Sequence, residues 1–492
     1  MSYKTNVIMG TKLSKMVEQV QHLERRTACE QVKKFIYGKD YTRVCAVYGL
    51  QSTGKRTVML QAIADMSEEE FARTAYIKVK YTDCLQDVAD DVRLLRKIRV
   101  KFVFIDEITC MTDFIDSAAL LSDIYAMMGM KIVLTGTSSL SFWLSRDDEL
   151  YDRVRLVHTT YMPYKEYNRL MGNGTIEEYL LNGGFLKEFP FKDEETLHQY
   201  IDTAIGKNIQ FALGHAERGR AMFKLRDLYN ASVLVQAIRF VVENLVRSNV
   251  KRALTNVLDV EAIEKSIEQS AEFNVEITET YTSQIENYLK GLDIIVKCPV
   301  ERGDLELRKE DRYIFTQPGM SYCMSKVYVE SLLKSDTFAT LHDSEKECMK
   351  EQLLETIQEG ILKDMVLLEA SKTLGKRYCV YKVQFKNGVY DMLIYDNDNN
   401  QCAIYEIHNS KCRMQKQGKH LTDEYKLTLT TPRHGKLVGR YVLYLGENMD
   451  SEDGIAYRNA EEFLKNLPNI SLNSGLENVV SEDEGQGMLQ SM

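Results

Sequence analysis

Apolar and polar positions change rhythm three times along the chain. From about Thr11 to Tyr37, Met16, Val20 and Leu23 recur on one stripe with charges opposite, which predicts an amphipathic lead-in helix. From Arg43 onward, short β-branched runs alternate with helix-forming stretches. The runs are Val44 to Tyr48, Ala75 to Val79, Phe102 to Ile105, Ile132 to Thr135 and Leu156 to Tyr161. Five strands with helical crossovers predict a parallel sheet covered on both faces, an α/β fold with its ligand at the carboxyl ends of the strands. After Pro163 the pattern turns helical from Glu177 to about Leu289, with amphipathic stretches around Leu228 to Leu245 and Ile263 to Phe273. Ile294-Ile295-Val296, a polar turn through Glu301 to Asp311, and Tyr313-Ile314-Phe315 then read as the wing of a winged-helix module. From Glu345 a long helix to about Leu374 leads into strands at Tyr378 to Phe385, Tyr390 to Tyr395, Ala403 to Ile407 and a last one at Tyr441 to Leu445. Asn387-Gly388 and the Asp396 to Asn400 cluster are hairpin signals between them. Beyond about Leu467 periodicity fades, and Ser481 to Gly487 reads as a disordered acidic tail. The expected division is a lead-in at 1–40, a nucleotide-binding domain at 41–170, a helical and winged-helix region at 171–340, an α/β domain at 341–466 and a tail at 467–492.

Bulk properties narrow the classes. A chain of 492 residues with 44% hydrophobic and 27% charged residues has material for full cores in several domains. The formal net charge of −9 argues against a surface coated in basic residues, although local patches remain. Ten cysteines lie scattered without a Cys-x-x-Cys pair, which reads as reduced core thiols rather than metal ligands or disulfides. No charged-then-apolar leader and no uncharged run near the roughly 20 residues that span a bilayer is present, so a cytoplasmic protein away from membranes is expected.

The stretch that organises the chain is Gly49-Leu50-Gln51-Ser52-Thr53-Gly54-Lys55-Arg56-Thr57, set between the Val44 to Tyr48 run and the helix-forming Val58 to Ile63. A glycine-bracketed loop ending in Gly-Lys between strand and helix is the sequence form of a phosphate-binding loop. Gly49 and Gly54 are expected to give backbone angles that let successive amides turn inward. The helix N-terminus and the Lys55 ammonium complete the anion site. One position departs from the pattern: Arg56 stands where Ser or Thr would place a hydroxyl on magnesium. Thr57 is one residue late, rotated by about 100° around the helix. ATP binding is therefore better supported than fast hydrolysis, and Arg56 is a candidate to neutralise phosphate charge.

Further along, Phe102-Val103-Phe104-Ile105-Asp106-Glu107 is an apolar strand ending in two carboxylates. Asp106 is placed to hold magnesium through its water shell and Glu107 to polarise the attacking water. The next strand ends in Leu134-Thr135-Gly136-Thr137-Ser138, where Thr135, or else Ser138, is positioned to sense the terminal phosphate. Arg146, Arg153 and Arg155 follow, and Arg153 is the candidate to supply charge to the leaving phosphates, in cis or across a subunit contact.

Together with Leu150-Tyr151-Asp152-Arg153, Pro163-Tyr164-Lys165-Glu166-Tyr167 and Gly183-Gly184-Phe185, these motifs resemble prokaryotic AAA-type ATPases of the archaeal-ATPase group, over about residues 12 to 466. The resemblance implies a winged helix and a C-terminal domain similar to PD-(D/E)XK nucleases, with ATP and Mg2+ as cofactors. It places nucleotide on Gly49 to Lys55, metal on Asp106, water activation on Glu107, sensing near Thr135 and an arginine role on Arg153.

A nuclease of that kind needs carboxylates on neighbouring strands and a lysine beside the second acid. Asp391 starts one strand, Glu406 and His408 end the next on one side, and Asp364 lies on the preceding helix. His408 occupies the lysine position, so a degenerate site is expected. Downstream, Lys411, Arg413, Lys416, Lys419, Lys426, Arg433, Lys436 and Arg440 face only Asp423 and Glu424, a basic stretch suited to phosphate backbones. The leading reading is an ATP-binding conformational module with a degenerate nuclease-like domain. Its rivals are a nucleic-acid- or partner-binding protein with a static or weakly hydrolysing nucleotide site, and, less favoured, an active ATP-dependent nuclease. DNA or RNA on residues 411–440 or the winged helix, a protein partner, and oligomerisation are the partners considered.

Overall fold

The computed structural model describes residues 2–117, 119–146, 152–186, 193–215, 223–255, 257–258, 276–304, 312–375, 377–413 and 417–467. The expected helix at Ile263 to Phe273, part of the Leu150-Tyr151 motif, Lys416 and the acidic tail lie outside them. The chain divides into two units: Met1–Val296 with Phe315–Leu354, and Lys297–Ile314 with Glu355–Met492.

The first unit is built on a six-stranded sheet of β1 (Asn6–Ile8), β2 (Val44–Tyr48), β3 (Thr74–Lys78), β4 (Phe102–Asp106), β5 (Lys131–Thr135) and β6 (Val154–His158). Their order is β1-β3-β4-β5-β2-β6. All pairings are parallel except the edge pair β1 with β3. Apolar residues on both faces explain the double covering. In β2, Val44, Ala46 and Tyr48 enter one buried cluster with Leu85, Val88, Val92 and Leu95, while Cys45 and Val47 enter the other with Leu13, Val32, Phe35, Val58 and Met59. The first cluster draws on the helix Leu85–Lys97, the second on α1 (Thr11–Gln21), α2 (Thr27–Ile36) and α3 (Lys55–Ala64).

Two expectations are corrected here. The lead-in is two helices, not one, preceded by a strand that joins the sheet edge, and it forms part of the second core rather than a separate piece. The run expected at Leu156 to Tyr161 is shifted to Val154–His158, in register with β2 from Val44↔Val154 to Tyr48↔His158. The helices Tyr164–Leu170, Ile176–Asn182, Lys207–His215, Leu234–Leu254, Glu279–Gly291 and Pro318–Leu333 are among the others in this unit.

The chain changes unit inside β7 (Ile295–Lys297) and β9 (Tyr313–Phe315), which pair with each other, and again inside the helix Asp343–Thr373. Between β7 and β9, part of the expected polar turn is instead β8 (Val300–Arg302), an edge strand of the second unit that pairs with β10. That unit's sheet contains β8, β10 (Tyr378–Phe385), β11 (Gly388–Asp396), β12 (Gln401–Ile407), β13 (Lys436–Tyr444), β14 (Met449–Asp450) and β15 (Ala456–Asn459), in the order β14-β15-β13-β12-β11-β10-β8. The two expected hairpins join β10 to β11 and β11 to β12. The parallel β12–β13 crossover runs through the helix Glu424–His434. Two short strands follow β13, so Tyr441 to Leu445 is not the last. Among the described residues no helix is long and apolar enough to cross a membrane.

Candidate functional site

Fully buried β2 delivers the chain into the loop from Gly49 to Gly54, and α3 starts at Lys55. Gly54 takes φ +83°, and Ser52 takes the same left-handed region at φ +64°. Gly49 needs room rather than angle: a Cβ there would stand 2.3 Å from Thr159 Oγ1 and 2.8 Å from the Thr160 amide nitrogen. The expectation that both glycines serve backbone angle therefore holds for Gly54 alone. The Thr53 hydroxyl turns into the loop, donating to Leu50 O at 2.8 Å and lying 2.8 Å from Thr159 Oγ1. Lys55 Nζ donates to Gly49 O and Leu50 O, each at 2.8 Å. Burial lowers its pKa to about 8 against the opposing pull of Glu107 and Asp106.

The loop opens on a cavity of about 580 Å³ lined by Ser52, Gly54, Lys55, Arg56 and Thr57, by Asp106, Glu107, Thr135 and Thr137, and by Leu23, Leu170, Met171 and Leu186 on its apolar side. Sheet order explains the meeting. β5 lies between β2 and β4, so Thr135 at its end stands between the loop and Asp106. Asp106 is 1% exposed and carries three donors. Thr135 Oγ1 donates to Oδ1 at 2.6 Å, while Tyr76 OH and Arg56 Nε each donate to Oδ2 at 2.6 Å. Burial, followed by the Asp106 charge, drives the Tyr76 phenol well above its usual range. Glu107 adopts φ +64°, and its Oε2 accepts from the Thr137 hydroxyl at 2.6 Å and the Thr137 amide at 3.2 Å.

The sequence reading missed Tyr76, Thr137 and, above all, Arg26. Arg26 is buried beneath the loop. Its Nε donates to Glu166 Oε1 at 2.6 Å, Nη1 to Thr53 O at 2.7 Å and Thr159 O at 2.8 Å, and Nη2 to Tyr161 O at 3.1 Å. One guanidinium thus ties the loop to the chain leaving β6. No local motif marks it, because its partners are 27 to 140 residues away.

Other candidates fall elsewhere. Arg153 precedes β6 at the amino ends of the strands, where its carbonyl accepts from Val44 N and its Nε pairs with Asp123 at 2.6 Å. The loop lies at the carboxyl ends, so Arg153 is not brought to the cavity within this chain. Ser138 Oγ lies 3.0 Å from Ser141 Oγ, and the Ser138 amide donates to Thr109 Oγ1, consistent with a role in starting the next helix.

In the second unit Asp391, Glu406 and His408 come together, joined by Glu359 and Lys363. Asp391 lies within β11 rather than at its start. Its Oδ2 accepts from Ile407 N at 3.0 Å and lies 3.3 Å from Lys363 Nζ. Glu406 accepts from the Gly418 amide at 2.9 Å and the His420 amide at 2.8 Å, with His408 Nε2 at 3.3 Å. His408 Nδ1 stands 3.5 Å from Glu359, which pairs with Lys363 at 2.9 Å. Burial opposes charge on His408, but its hydrogen bonds to the Glu359 and Glu406 carboxylates prevail and raise it to about 9. Glu359 likewise overcomes burial, through His408 and Lys363, and falls to about 2. Asp364 turns instead to Arg312. Among the described residues no group of three or more acids, histidines or cysteines is arranged to hold a metal. Of the basic stretch, Lys411, Arg413, Lys419, Arg433 and Lys436 are exposed, whereas Lys426 is buried 2.6 Å from His420 Nδ1.

Residues 41–168 match the family model described as an AAA domain. No curated protein matches the sequence. Among solved structures, the Walker-type ATPase of Pyrococcus abyssi is similar at 13% identity and TM-score 0.33, over 61% of this chain and 95% of its own. The ORC1 protein of Aeropyrum pernix, solved in complex with DNA, is similar at 15% identity and TM-score 0.22, over 67% of this chain and 94% of its own. The stretch 41–168 that matches the AAA-domain model carries the largely parallel sheet, the glycine loop and the strand-end carboxylates expected of a P-loop nucleotide-binding fold.

Proposed function

We propose that this chain is an ATP-binding conformational module that hydrolyses slowly, coupled to a nuclease-like domain that holds nucleic acid or a partner without cutting. The observation that carries the nucleotide half is the shared cavity. The loop residues Gln51, Ser52 and Gly54, the start of α3, Lys55 and the Asp106–Glu107 strand end all line one space, with an apolar wall of Leu23, Leu170, Met171 and Leu186 suited to a base. Slow turnover is supported by the engagement of Glu107 with Thr137 and of Asp106 with three donors. The magnesium ion usual beside ATP does not fit the side chains as they stand. Arg56 replaces the hydroxyl ligand, and its guanidinium lies against the carboxylate meant for the ion.

The second half rests on Glu406, whose oxygens are taken by two backbone amides and His408, and on Lys363, whose ammonium supplies positive charge between Asp391 and Glu359. A metal would have to displace both cations. The exposed bases between Lys411 and Lys436 are the surface proposed for nucleic acid or a protein partner; β9 of the expected wing is buried and offers none. Equilibrium binding of ATP to the wild type and to Lys55→Ala tests the reading: loss of the charge-assisted phosphate contact should cost about 1.5–3 kcal/mol. Equal affinities would remove it.

A further inference from the structure

This inference rests on the nucleotide reading above and concerns what neutralises the phosphates. Arg56 is the second residue of α3 and points into the cavity with 48% of its side chain exposed. Its guanidinium is held from one side, through Nε to Asp106 Oδ2 at 2.6 Å. Nη2 stands 3.8 Å from Glu107 Oε1, and the guanidinium also bears on the Tyr76 hydroxyl that shares Asp106. The planar fork of a half-exposed guanidinium matches two phosphate oxygens, and it stays charged at any physiological pH. Asp106, buried and already held by Thr135 and Tyr76, fixes the fork from behind as it would otherwise fix a hydrated ion. A magnesium ion with its octahedral shell needs that same volume and that same carboxylate.

We propose that Arg56 is the built-in counter-cation of this site, so that the chain binds nucleoside triphosphate without a divalent metal. Lys55 and the α3 N-terminus supply the remaining positive field. Because magnesium sequesters ATP in solution, adding it should leave the affinity unchanged or weaken it.

The test is calorimetric titration of the full chain with ATP, once in excess EDTA and once in excess MgCl2, for wild type and for Arg56→Thr. Wild type is expected to bind at least as tightly in EDTA. Arg56→Thr, which restores a hydroxyl and removes the cation, is expected to lose about tenfold or more in EDTA and to regain it with magnesium. Wild-type affinity tenfold or more tighter with MgCl2 than in EDTA overturns the inference while leaving nucleotide binding intact. Absence of binding in both buffers overturns the nucleotide reading itself. The wild-type pair of titrations decides the matter even if the variant fails to fold.

Discussion

Replacing Arg26 by alanine should be among the most damaging single changes in the first unit, although the residue touches no expected catalytic group. Both partners of the Arg26–Glu166 pair have side chains 4% exposed, so solvent screening gives no relief. The truncation strands the Glu166 carboxylate with one remaining donor, the Thr27 amide at 3.3 Å, and leaves the Thr53 and Thr159 carbonyls without this guanidinium. Breaking a buried pair from one side costs about 3–5 kcal/mol, against a whole-domain stability of about 5–15 kcal/mol. Glu166→Gln keeps a polar partner but leaves the buried guanidinium without a counter-charge, so it too breaks the pair from one side and should cost about 3–5 kcal/mol. Adding Glu166→Leu to an Arg26→Met background should recover part of the loss, because no charge then stays buried alone. Native-state hydrogen exchange of the β2 and α3 amides isolates this unit from the other. A loss below about 1 kcal/mol for Arg26→Ala, or no recovery in the double variant, would refute the claim that this pair holds the loop in place.

Further outcomes follow from the same geometry. Gly49→Ala pushes a methyl against Thr159 Oγ1 and the Thr160 backbone and should destabilise the first unit by about 1–3 kcal/mol; an unchanged melting temperature would contradict the close approach. Thr135→Val removes the hydroxyl on Asp106 Oδ1 and should cost about 1–2 kcal/mol in urea unfolding, whereas a neutral effect would mean the bond contributes nothing. His408 is raised from 6.5 to about 9 in the folded state, so its contribution to the second unit is complete below about pH 6.5 and lost as pH climbs through 9, up to about 3 kcal/mol in all. Exchange of the β12 amides across that range should show the loss in wild type and a flattened profile in His408→Gln; matching profiles would dismiss the role of His408. Duplex DNA incubated with the chain and Mg2+ or Mn2+ should stay intact, and cutting that Glu406→Ala abolishes would restore the active-nuclease reading.

What sequence could and could not convey divides along the range of the interactions. The loop from Gly49 to Lys55 and the acids at 106 and 107 were readable because strand, turn and helix are local patterns of period two and 3.6. The hairpins at Asn387-Gly388 and Asp396 to Asn400 were readable through turn chemistry for the same reason. Arg26, Tyr76 and Thr137 were not, since each acts on a group brought near only by sheet order. Lys363 was hidden similarly: it sits mid-helix in a charge-rich stretch, and only the placement of β11 beside that helix gives it Asp391. β8 escapes the sequence pattern because three residues carry too little alternation to read as a strand.

The position of β8 in the chain has a bearing on biosynthesis. A ribosome extrudes Lys297–Ile314 while Phe315–Leu354 of the first unit is still untranslated, and the rest of the sheet that receives β8 emerges only afterwards. Neither unit can therefore be completed before synthesis of the other has begun, and an edge strand waits, unpaired, for β10. Any attempt to produce the second unit from residues 355–492 alone omits that strand and exposes the flank of β10 as a seam for aggregation.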